Sequence, residues 1–541
     1  MASQFWADQL AELVVARAKQ ESRRPVIRTG QTPSGGKHIG NLNDPLRAFF
    51  VWKSLQQQGV DARFVHSSDD RDPLKDIPAK LADLDCRWHP AEEFPELKKY
   101  FGHPLCRVPD PFGCCPSYAD HFANVWFSGL SQLGLQPERT SNDDYYKQGK
   151  FDPYVLQLFQ NVKSAGEIVH KYQESKSAEY IPFDAICPSC GTLTPITSFD
   201  IPSKKVFFTC GGKSIKLKKS EGCGSVGEAP FREGKLQWRF EWPAQWAIEQ
   251  TTFEPFGKDH YEGSWKSGQE IIRRIYNVEP PIPYVYEFFL VSGQKMSASK
   301  GNVYIVQDIL QILEPEIFLF FYTKRPGKQR DLDLQNIQLI IEDFEKAEAV
   351  YFGDTTGISD HDIQNLRRSY ELCQEHPPAH RPPTLPYNFA AMISQTLGSV
   401  PIKEKIADIL HRTSHLSVGA SEADLIRMVN RVHLASNWLR LFAPPEARFS
   451  LQSSPSAAVM LPDPQKHALV DLAHELESEK DEAQLATLFR DLAQKHNITP
   501  KAFFEAAYAA LLGSPRGPRL GSFILAAGRE QVRQLLLQLE K

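Results

Sequence analysis

A glycine-rich stretch, TPSGGKHIGN at residues 32–41, combines residue types that bind phosphate groups. It follows a short apolar run at residues 26–27 and precedes residues 42–55, where apolar side chains recur at helical spacing. The predicted order is therefore strand, turn and helix, which presents backbone N–H groups and a helix dipole to an anion. His38 lies where the helix begins, placed to hydrogen-bond a phosphate whose charge grows in a transition state. Short glycine motifs often match by chance, so an ordinary turn with a surface histidine stays open.

A second stretch with phosphate-binding chemistry is KMSASKGN at residues 295–302. It follows residues 283–290, PYVYEFFL, whose β-branched and aromatic composition predicts a strand. Two lysines, two serines and a glycine on a loop suit the binding of a polyphosphate. Such a composition is a weak signal by itself, and it becomes specific only when paired with the first turn.

Four cysteines have spacing that suggests a metal site. Cys187 and Cys190 have the C-x2-C spacing of a zinc knuckle, while Cys210 and Cys223 are separated by twelve residues, which is longer than usual. We predict a structural Zn²⁺ held by these four thiolates within about residues 183–228. The alternative is four reduced cysteines in a loop.

The remaining chemistry-bearing residues are less specific. An acidic run at residues 69–72 follows a predicted strand at 63–67, where its carboxylates could hold an amine or a ribose hydroxyl. A solvated charged loop is the alternative. Cys106, Cys114 and Cys115 are interpreted as packed thiols in or near a proline-rich loop. The odd total of nine cysteines argues against a disulfide framework.

The bulk composition is that of a globular chain with 541 residues, which suggests three to four domains. Its net charge of −4 excludes a global basic field, so a nucleic-acid partner must be held by local patches. Candidate patches are residues 213–219, residues 324–330, and Arg516 with Arg519. No apolar run approaches the ~20 residues that span a bilayer, and residues 1–10 lack a signal pattern. We therefore expect a cytoplasmic protein without a membrane partner.

The elements that must position these residues alternate between helix and strand as far as residue 303 and are mostly helical afterwards. Helices are predicted at residues 5–19, 117–133, 154–176, 268–276 and 337–351, among others. Residues 235–242, KLQWRFEW, alternate in the manner of a strand. Residues 256–260 predict a turn with an aspartate and a histidine between a strand and a helix.

The two loops together resemble the HIGH and KMSKS signatures of class I aminoacyl-tRNA synthetases. Further stretches resemble the class I lysyl-tRNA synthetase family within that class. They are FWAD at residues 5–8, VPDPFGC at 108–114, SYADH at 117–121, FEPFGKDH at 253–260, YEF at 286–288 and GPRLGSF at 517–523. The resemblance extends from the N-terminus almost to the C-terminus.

The resemblance implies a Rossmann-type, doubly wound parallel α/β sheet in two halves, at residues 1–84 and 235–303. Residues 85–234 would form a connective insertion that carries the zinc ribbon. Residues 304–385 would form a stem-contact helical region with a linker. Residues 386–541 would form an α-helical anticodon-binding domain similar to that of glutamyl-tRNA synthetases.

The resemblance also implies the residues of the site. His38, Lys295 and Lys300 would be catalytic, with His38 on the α/β-phosphates, the two lysines on the pyrophosphate and Gly40 under adenine. The ATP-binding set, with Mg²⁺ in the substrate complex, is Pro33, Ser34, His38, Gly40, Asn41, Lys295, Met296, Ser297, Ser299 and Lys300. The lysine-binding set is Gly30, Thr32, Trp238, His260 and Tyr286, with Trp238 and Tyr286 on adjacent predicted strands. Glu241 and Glu287 are further candidates for pairing the ε-ammonium group.

Two positions depart from the family signatures. Asn41 replaces the final histidine of HIGH, and Ala298 replaces the second lysine of KMSKS, with Lys300 two places later. Because the family favours this variant loop, we expect Lys300 with Lys295 to supply the charge that binds pyrophosphate.

The expected function is a lysine–tRNA ligase that uses L-lysine, ATP and tRNA(Lys) and acts as a monomer. One alternative is a tRNA-independent nucleotidyl transferase of the same fold, which the long helical C-terminal region disfavours. Another is a non-catalytic tRNA-binding paralogue, which the presence of His38, Gly40, Lys295 and Lys300 disfavours.

Overall fold

The computed structural model describes residues 5–177, 179–212, 214–215, 218–296, 302–324, 328–398, 402–417, 419–455 and 460–540. The chain divides into two compact units. The first contains Met1–Ile309, Phe318–Leu332 and Thr355–His376, and the second contains Leu310–Ile317, Asp333–Asp354 and Pro377–Lys541. The five-part division expected from the sequence remains a prediction.

The first elements alternate between helix and strand, as the sequence predicts. They are α1 Trp6–Gln20, β1 Val26–Gln31, α2 Asn43–Gln57, β2 Arg63–Ser68, β3 Lys80–Ala82, β4 Trp88–Pro90, α3 Tyr118–Gln132, β5 Glu138–Ser141 and α4 Asn142–Lys147. The helical spacing of apolar residues 42–55 has a clear cause, because the side chains on that stripe are buried: Leu42, Leu46, Phe49, Phe50 and Leu55.

Between α4 and α7 the chain forms two short helices and several short strands. These are α5 Asp152–Gln160, α6 Val162–Tyr172, β6 Phe183–Ile186, β7 Leu193–Pro195, β8 Ser198–Asp200, β9 Lys205–Thr209, β10 Ser214–Ile215, β11 Lys218–Lys219, β12 Val226–Pro230 and β13 Gly234–Leu236. The single helix predicted at residues 154–176 is wrong, because the chain leaves helical geometry at Asn161 and starts a second helix. The strands β12, β9 and β8 form one antiparallel sheet, and β13, β6 and β7 form another.

The rest of the chain returns to the main sheet and then becomes mostly helical. Its elements are α7 Trp238–Glu249, β14 Phe253–Gly257, α8 Lys266–Arg274, β15 Ile282–Tyr286, β16 Phe289–Val291, α9 Val306–Leu310, α10 Pro315–Thr323, β17 Arg330–Leu332, α11 Gln338–Tyr351, α12 Asp360–Cys373, α13 Tyr387–Thr396, α14 Lys403–Arg412, α15 Glu422–Leu441, α16 Asp463–Glu475, α17 Glu482–Lys495, α18 Pro500–Leu512, α19 Leu520–Ala527 and α20 Arg529–Leu536. Within the described residues, no helix combines the length and apolar character needed to cross a bilayer.

The prediction of a strand at residues 235–242 is wrong. Only Gly234–Leu236 is a strand, and Trp238 is the first residue of helix α7. The alternating pattern misled because α7 is buried on several sides, so its apolar residues do not form one helical stripe. Trp238 and Tyr286 therefore do not lie on adjacent strands.

The main sheet is parallel, with the strand order β15–β14–β1–β2–β5. Going outward from β1, the chain winds one way to β2 and β5, and the other half adds β14 and β15 on the opposite side. The topological switch point of this doubly wound sheet therefore lies between β1 and β14. Gly30 pairs in register with Ser67, and Gly257 with Tyr286, so all four residues lie at the carboxyl edge where such sheets bind ligands.

Candidate active site

The glycine-rich turn leaves β1 at the carboxyl edge and enters a short 3₁₀ helix, Ile39–Leu42, that continues into α2. The Ile39 N–H donates to the Tyr304 carbonyl at 2.8 Å, and the Tyr322 hydroxyl donates to the Ile39 carbonyl at 2.7 Å. These two bonds come from residues that follow the lysine- and serine-rich loop. The chain beyond the second loop therefore fixes the position of the first turn.

His38 is the residue before this 3₁₀ helix, as expected, and its ring lies against Gly40. A Cβ at Gly40 would be 2.8 Å from His38 Nδ1 and 3.2 Å from Met296 Cε. Only glycine allows the three residues to approach this closely. The structure thus brings the front of the second loop onto the first turn, although the two are far apart in sequence.

The His38 ring is a buried hydrogen-bonding group with spare capacity. Nδ1 is buried and makes no hydrogen bond within the described part of the chain. Burial, with a smaller contribution from the nearby charges of Lys37 and Lys295, lowers the pKa of His38 to about 4. The imidazole is therefore neutral near pH 7 and can offer one N–H donor to a ligand oxygen.

The second loop is described only as far as Met296. The Lys295 ammonium is exposed and lies 4.5 Å from the centroid of the Phe288 ring, while Met296 is buried. Ser297, Ser299 and Lys300, which the sequence analysis assigns to ATP, lie outside the described residues. Their roles, and the replacement of a lysine by Ala298, remain predictions.

Lys37 is a cation of the first turn that the sequence analysis did not select. Its ammonium is 3.4 Å from the Ser34 hydroxyl. Burial lowers the pKa of Lys37 to about 8, against the attraction of Asp69 and Asp72. Its place next to His38 was the available signal. Pro33 is buried, and the Asn41 N–H donates to the His38 carbonyl at 2.8 Å, so the turn is compact. Lys37 adds one positive charge to it.

Gly30 and Thr32, the expected amino-acid-binding residues, lie at and just beyond the end of β1. The Thr32 hydroxyl donates to Asp72 Oδ2 at 3.0 Å. Asp72 also forms ion pairs of 3.2 Å with Lys75 and Lys235. Burial opposes ionisation of Asp72, but the two lysines outweigh it and hold the pKa of this carboxyl below its usual range.

The acidic run at residues 69–72 is buried, so its interpretation as a solvated loop is wrong. Asp69 Oδ1 accepts hydrogen bonds from Asn142 at 3.0 Å and from Gln245 at 2.7 Å. Asp70 Oδ1 accepts the Asp143 N–H at 2.8 Å. These carboxylates connect the end of β2 to neighbouring elements and build the edge of the sheet.

The two glutamates suggested for the ε-ammonium group already have partners. Glu241 is fully buried, forms an ion pair with Lys235 and accepts a hydrogen bond from the Tyr146 hydroxyl at 2.9 Å. Glu287 forms an ion pair of 2.6 Å with Lys258. A substrate ammonium would have to displace a lysine from either one.

Asp44, in the first turn of α2, is a carboxylate that forms no ion pair among the described residues, and its sequence context did not single it out. It accepts a hydrogen bond of 2.5 Å from the hydroxyl of Tyr286, a predicted lysine-binding residue. Burial, with the charges of Glu254 and Asp259, raises the pKa of Asp44 to about 8 against the hydrogen bond from Tyr286 and the charge of Lys37, which lower this pKa. Its position three residues after Asn41 was the only sequence signal.

The aromatic residues predicted to surround the lysine side chain fall into two groups. Trp238 stacks on Trp242 with centroids 5.3 Å apart, and His260 lies 6.3 Å from Trp238 and 5.8 Å from Trp242. Tyr286, only 8% exposed, ends β15 beside Gly257 of β14. Helix α7 and the turn Lys258–His260 thus bring Trp238 to His260, while β15 brings Tyr286 to Asp44.

The four predicted zinc ligands converge. The Sγ atoms of Cys187 and Cys223 are 3.7 Å apart, those of Cys190 and Cys210 are 3.6 Å apart, and all four lie within 4.8 Å of one another. A zinc ion with four sulfur ligands at about 2.3 Å requires sulfur atoms about 3.8 Å apart. The donor set and its spacing therefore fit a tetrahedral Zn²⁺.

A second group that could hold a metal ion was missed. The ligand atoms of Asp110, Cys114, Cys115 and His121 also lie within 4.8 Å of one another. His121 Nδ1 is 3.3 Å from the Cys114 sulfur and 3.2 Å from Asp110 Oδ1. His121 Nε2 lies 2.9 Å from the carbonyl of Ala82, an arrangement that keeps Nδ1 available as a ligand. The spacing D-x3-C-C-x5-H was the signal.

Comparison with known proteins shows which family the chain resembles. Residues 4–376 match the family described as tRNA synthetases class I (K). The lysine–tRNA ligase of Halobacterium salinarum is 37% identical over 98% of this chain and 96% of its own length. That of Pyrococcus furiosus is 32% identical over 98% and 99%. A solved glutamate tRNA ligase from Elizabethkingia meningosepticum aligns over 96% of this chain and 99% of its own, with 10% identity and a TM-score of 0.42. The last likeness is too weak to carry a conclusion.

Proposed function

The chain belongs to the class I tRNA synthetases (K), and from that premise we propose that it is a lysine–tRNA ligase. It would convert L-lysine and ATP to lysyl-adenylate and pyrophosphate, then transfer lysine to tRNA(Lys) and release AMP. The observation that carries the proposal is the close approach of both the His38 ring and Met296 to Gly40, just beyond the carboxyl end of β1. That contact unites two phosphate-binding loops at the switch point of a doubly wound fold.

ATP, with Mg²⁺ as part of the substrate, would lie between the two loops. The lysine carboxylate attacks the α-phosphate in line and pyrophosphate leaves, so the protein mainly positions the reactants and stabilises developing charge. His38 donates its N–H to an α- or β-phosphate oxygen, and Lys295 with Lys300 binds the leaving pyrophosphate. The nucleotide also contacts the rest of the predicted set: Pro33, Ser34, Gly40, Asn41, Met296, Ser297 and Ser299. The terminal ribose hydroxyl of tRNA then attacks the adenylate.

The lysine substrate would lie beside the ends of β1 and β15. Gly30 and Thr32 face its backbone groups, and Trp238, His260 and Tyr286 surround its methylene chain. We assign the ε-ammonium to Asp44, because this desolvated carboxylate has a hydrogen-bonding tyrosine and forms no ion pair among the described residues, although the charge of Lys37 acts on it. Glu241 and Glu287 are supported less well, since each is already ion-paired.

Each of the two ligand groups of the insertion would hold one structural Zn²⁺. Cys187, Cys190, Cys210 and Cys223 would hold one ion, and Asp110, Cys114, Cys115 and His121 the other. Four protein ligands leave no open coordination position, which is typical of structural zinc rather than catalytic zinc. The ions would connect short strands and loops that are close in space and separate in sequence.

The remaining expectations are proposals from the family. Residues 386–541 would bind the anticodon, residues 304–385 the stem, and the ligase would act in the cytoplasm as a monomer. The two alternative functions named in the sequence analysis make different predictions about the substrate dependence of the reaction.

Lysine-dependent exchange between ATP and labelled pyrophosphate tests the proposal. The exchange is measured with each of the twenty amino acids, with and without tRNA, together with charging of tRNA. We expect exchange and charging with lysine and with none of the other nineteen amino acids. A nucleotidyl transferase would show no amino-acid-specific charging of tRNA, and a non-catalytic paralogue would show no exchange under any condition.

A further inference from the structure

Helix α7 carries three tryptophans at intervals of four residues, so their rings lie along one face of the helix: Trp238, Trp242 and Trp246. Trp238 is half-buried, whereas the other two are buried in the core of the first unit. The rings of Trp238 and Trp242 stack at an interplanar angle of 13°, and those of Trp242 and Trp246 have centroids 4.7 Å apart. The row of three rings therefore connects a predicted lysine-binding residue to the core.

Glu254 of β14 accepts the N–H groups of the two buried tryptophans. Its Oε1 accepts from Trp242 Nε1 at 2.9 Å, and its Oε2 accepts from Trp246 Nε1 at 2.7 Å. A third donor, Arg28 Nη1, lies 2.6 Å from Oε1. Three donors on two oxygens fit an ionised carboxylate, which only accepts hydrogen bonds. Because the Glu254 side chain is buried, water does not compete for these bonds.

We infer that Glu254 is a positioning residue for the recognition of lysine. By holding the N–H of Trp242, it fixes the ring on which Trp238 stacks and from which His260 lies 5.8 Å away between centroids. Trp238 and His260 are the residues expected to pack against the methylene chain of lysine. The inference rests on the proposed function, which supplies lysine as the ligand, and Glu254 acts through Trp242 rather than by touching the substrate.

The orientation of Glu254 is fixed from a second direction by Arg28 of β1. The Arg28 side chain is 1% exposed and also donates a hydrogen bond to the Gln245 amide oxygen of α7. Gln245 donates in turn to Oδ1 of Asp69, the residue that follows β2, at 2.7 Å. A Cβ at Gly30 would lie 3.3 Å from Arg28 Nη2, so the guanidinium lies next to the strand end where the amino acid is expected. The network thus joins α7 to β14, β1 and the end of β2.

Glu254 also acts on the lysine site through its charge. Asp44, to which we assign the ε-ammonium, is faced by Tyr286, Glu254, Asp259 and Lys37. Burial and the charges of Glu254 and Asp259 raise the pKa of Asp44, while the Tyr286 hydrogen bond and the charge of Lys37 lower it. Removing the charge of Glu254 should therefore lower the pKa of Asp44 and move the pH profile of lysine affinity to lower pH. A loss of packing alone would leave that profile in place.

The test compares E254Q with E249Q, a matched control in the same unit. Glu249 ends α7 and is as buried as Glu254, and it accepts the Tyr145 hydroxyl and lies 3.1 Å from Arg63. Within the described part of the chain it accepts no hydrogen bond from a tryptophan. We expect E254Q to raise the dissociation constant and the KM of lysine about tenfold, the loss of one hydrogen bond to a charged group, with kcat and the KM of ATP unchanged. E249Q should match the wild type in all four constants.

W242F provides a second variant that keeps the charge of Glu254. Phenylalanine retains an aromatic ring at position 242, but it has no N–H to donate to the carboxylate. Lysine should therefore bind about tenfold more weakly, as in E254Q. The pH profile of lysine affinity should shift to lower pH in E254Q and stay in place in W242F. The four constants, the profiles and the melting temperatures are measured on the full chain.

The outcomes separate this inference from the proposed function. A wild-type chain without lysine-dependent pyrophosphate exchange would overturn both. If the wild type is active but E254Q and W242F bind lysine as E249Q does, Glu254 has no positioning role. Equal losses of affinity for lysine and ATP would also overturn this role, because they would show a general disturbance of the sheet edge. Melting temperatures should fall alike in E254Q and E249Q, so that stability does not explain their difference in lysine affinity.

Discussion

At the scale of single residues, the site depends on polar groups that burial has altered. His38 is kept neutral because its ring is buried next to two lysines, and Asp44 is kept partly protonated because it is buried beside other carboxylates. A neutral imidazole can donate a hydrogen bond to a phosphate oxygen without adding a positive charge that would be repelled by Lys37 and Lys295. A desolvated carboxylate that forms no ion pair is a place where an ammonium group is favoured.

Replacing His38 tests the first of these roles. We expect H38A to lower the rate of lysine-dependent pyrophosphate exchange at least about 10²-fold, as for removal of one donor to a transition-state oxyanion. H38N keeps a donor and should lose less. Because the pKa of His38 is about 4, its protonation should not lower the rate between pH 8 and pH 6. An unchanged rate in H38A would show that the ring does not bind the reacting phosphates.

Asp44 predicts a pH-dependent affinity for lysine. A pKa of about 8 means that Asp44 is increasingly protonated below pH 8 in the free protein, while binding of the ammonium requires its ionised form. Lysine affinity should therefore rise with pH up to about 8 and fall by up to about tenfold per unit below it. The measurement is the dissociation constant of lysine between pH 6 and pH 9.

Variants of the Asp44–Tyr286 pair provide the control for that profile. D44N should weaken lysine binding about 10²-fold and remove the pH dependence, since the buried partner of the ammonium is lost. In Y286F the carboxyl loses a hydrogen bond that lowers its pKa, so the profile should shift to higher pH. If D44N binds lysine as the wild type does, another group pairs with the ammonium.

At the scale of elements, the predicted insertion at residues 85–234 contains two groups of side chains that could each hold a metal ion. The strands beside the four cysteines are short, from two to five residues. Cys187 follows β6, Cys210 follows β9, and Cys223 precedes β12, so one ion at this point would connect three strands. The other group connects the proline-rich loop to helix α3 through His121.

Metal analysis of the purified chain tests this organisation. We expect two zinc ions per chain, with one lost in C190S and one in C114S, because each serine removes a thiolate ligand. A chelator should lower the melting temperature of the wild type, since binding of zinc to the folded state stabilises it. Cys373, a buried cysteine outside both groups, provides the control variant C373S with the full zinc content. A wild-type chain without zinc would contradict the proposal.

At the scale of the whole molecule, the two units are not consecutive in sequence. The second unit takes Asp333–Asp354 from the middle of the chain and packs α11 against α13. Arg431 of α15, 4% exposed at its side chain, bonds Glu314 at 2.7 Å and Glu345 at 2.5 Å. The match to the family tRNA synthetases class I (K) ends at residue 376, although the relatives match over 98% of the chain. The second unit contains residues on both sides of position 376.

A chain cut after residue 376 should therefore fold poorly. The cut would expose Ile341 and Phe344, which are buried in α11, and would leave Glu314 without its arginine. We expect the fragment of residues 1–376 to aggregate or melt without cooperativity in size-exclusion and calorimetric measurements, in contrast to the full chain. A monomeric fragment with a sharp thermal transition would show that the first unit needs none of the residues after 376.

The approach of the two loops to each other could be predicted from the sequence because together they resemble the HIGH and KMSKS signatures, although each is a weak signal alone. The C-x2-C pair and the apolar stripe of α2 are local signals. Where burial on all sides replaces one apolar stripe, as in α7, the local pattern misled and Trp238 was placed on a strand. Asp44 was missed because its importance depends on Tyr286, which is distant in sequence. The group around His121 was missed although its spacing is local, because its cysteines were interpreted as packed thiols.

The sequence by itself determined the alternating architecture, the residues of both loops and the four-cysteine group, since short-range spacing carries that information. Only the tertiary structure decided that Glu241 forms an ion pair with Lys235 and that the Tyr286 hydroxyl donates a hydrogen bond to Asp44. It also decided that the acidic run after β2 is buried structure. The physical reason is that pairing and desolvation are set by which side chains share a buried volume, and the parallel order of β15, β14, β1 and β2 brings those side chains to one edge.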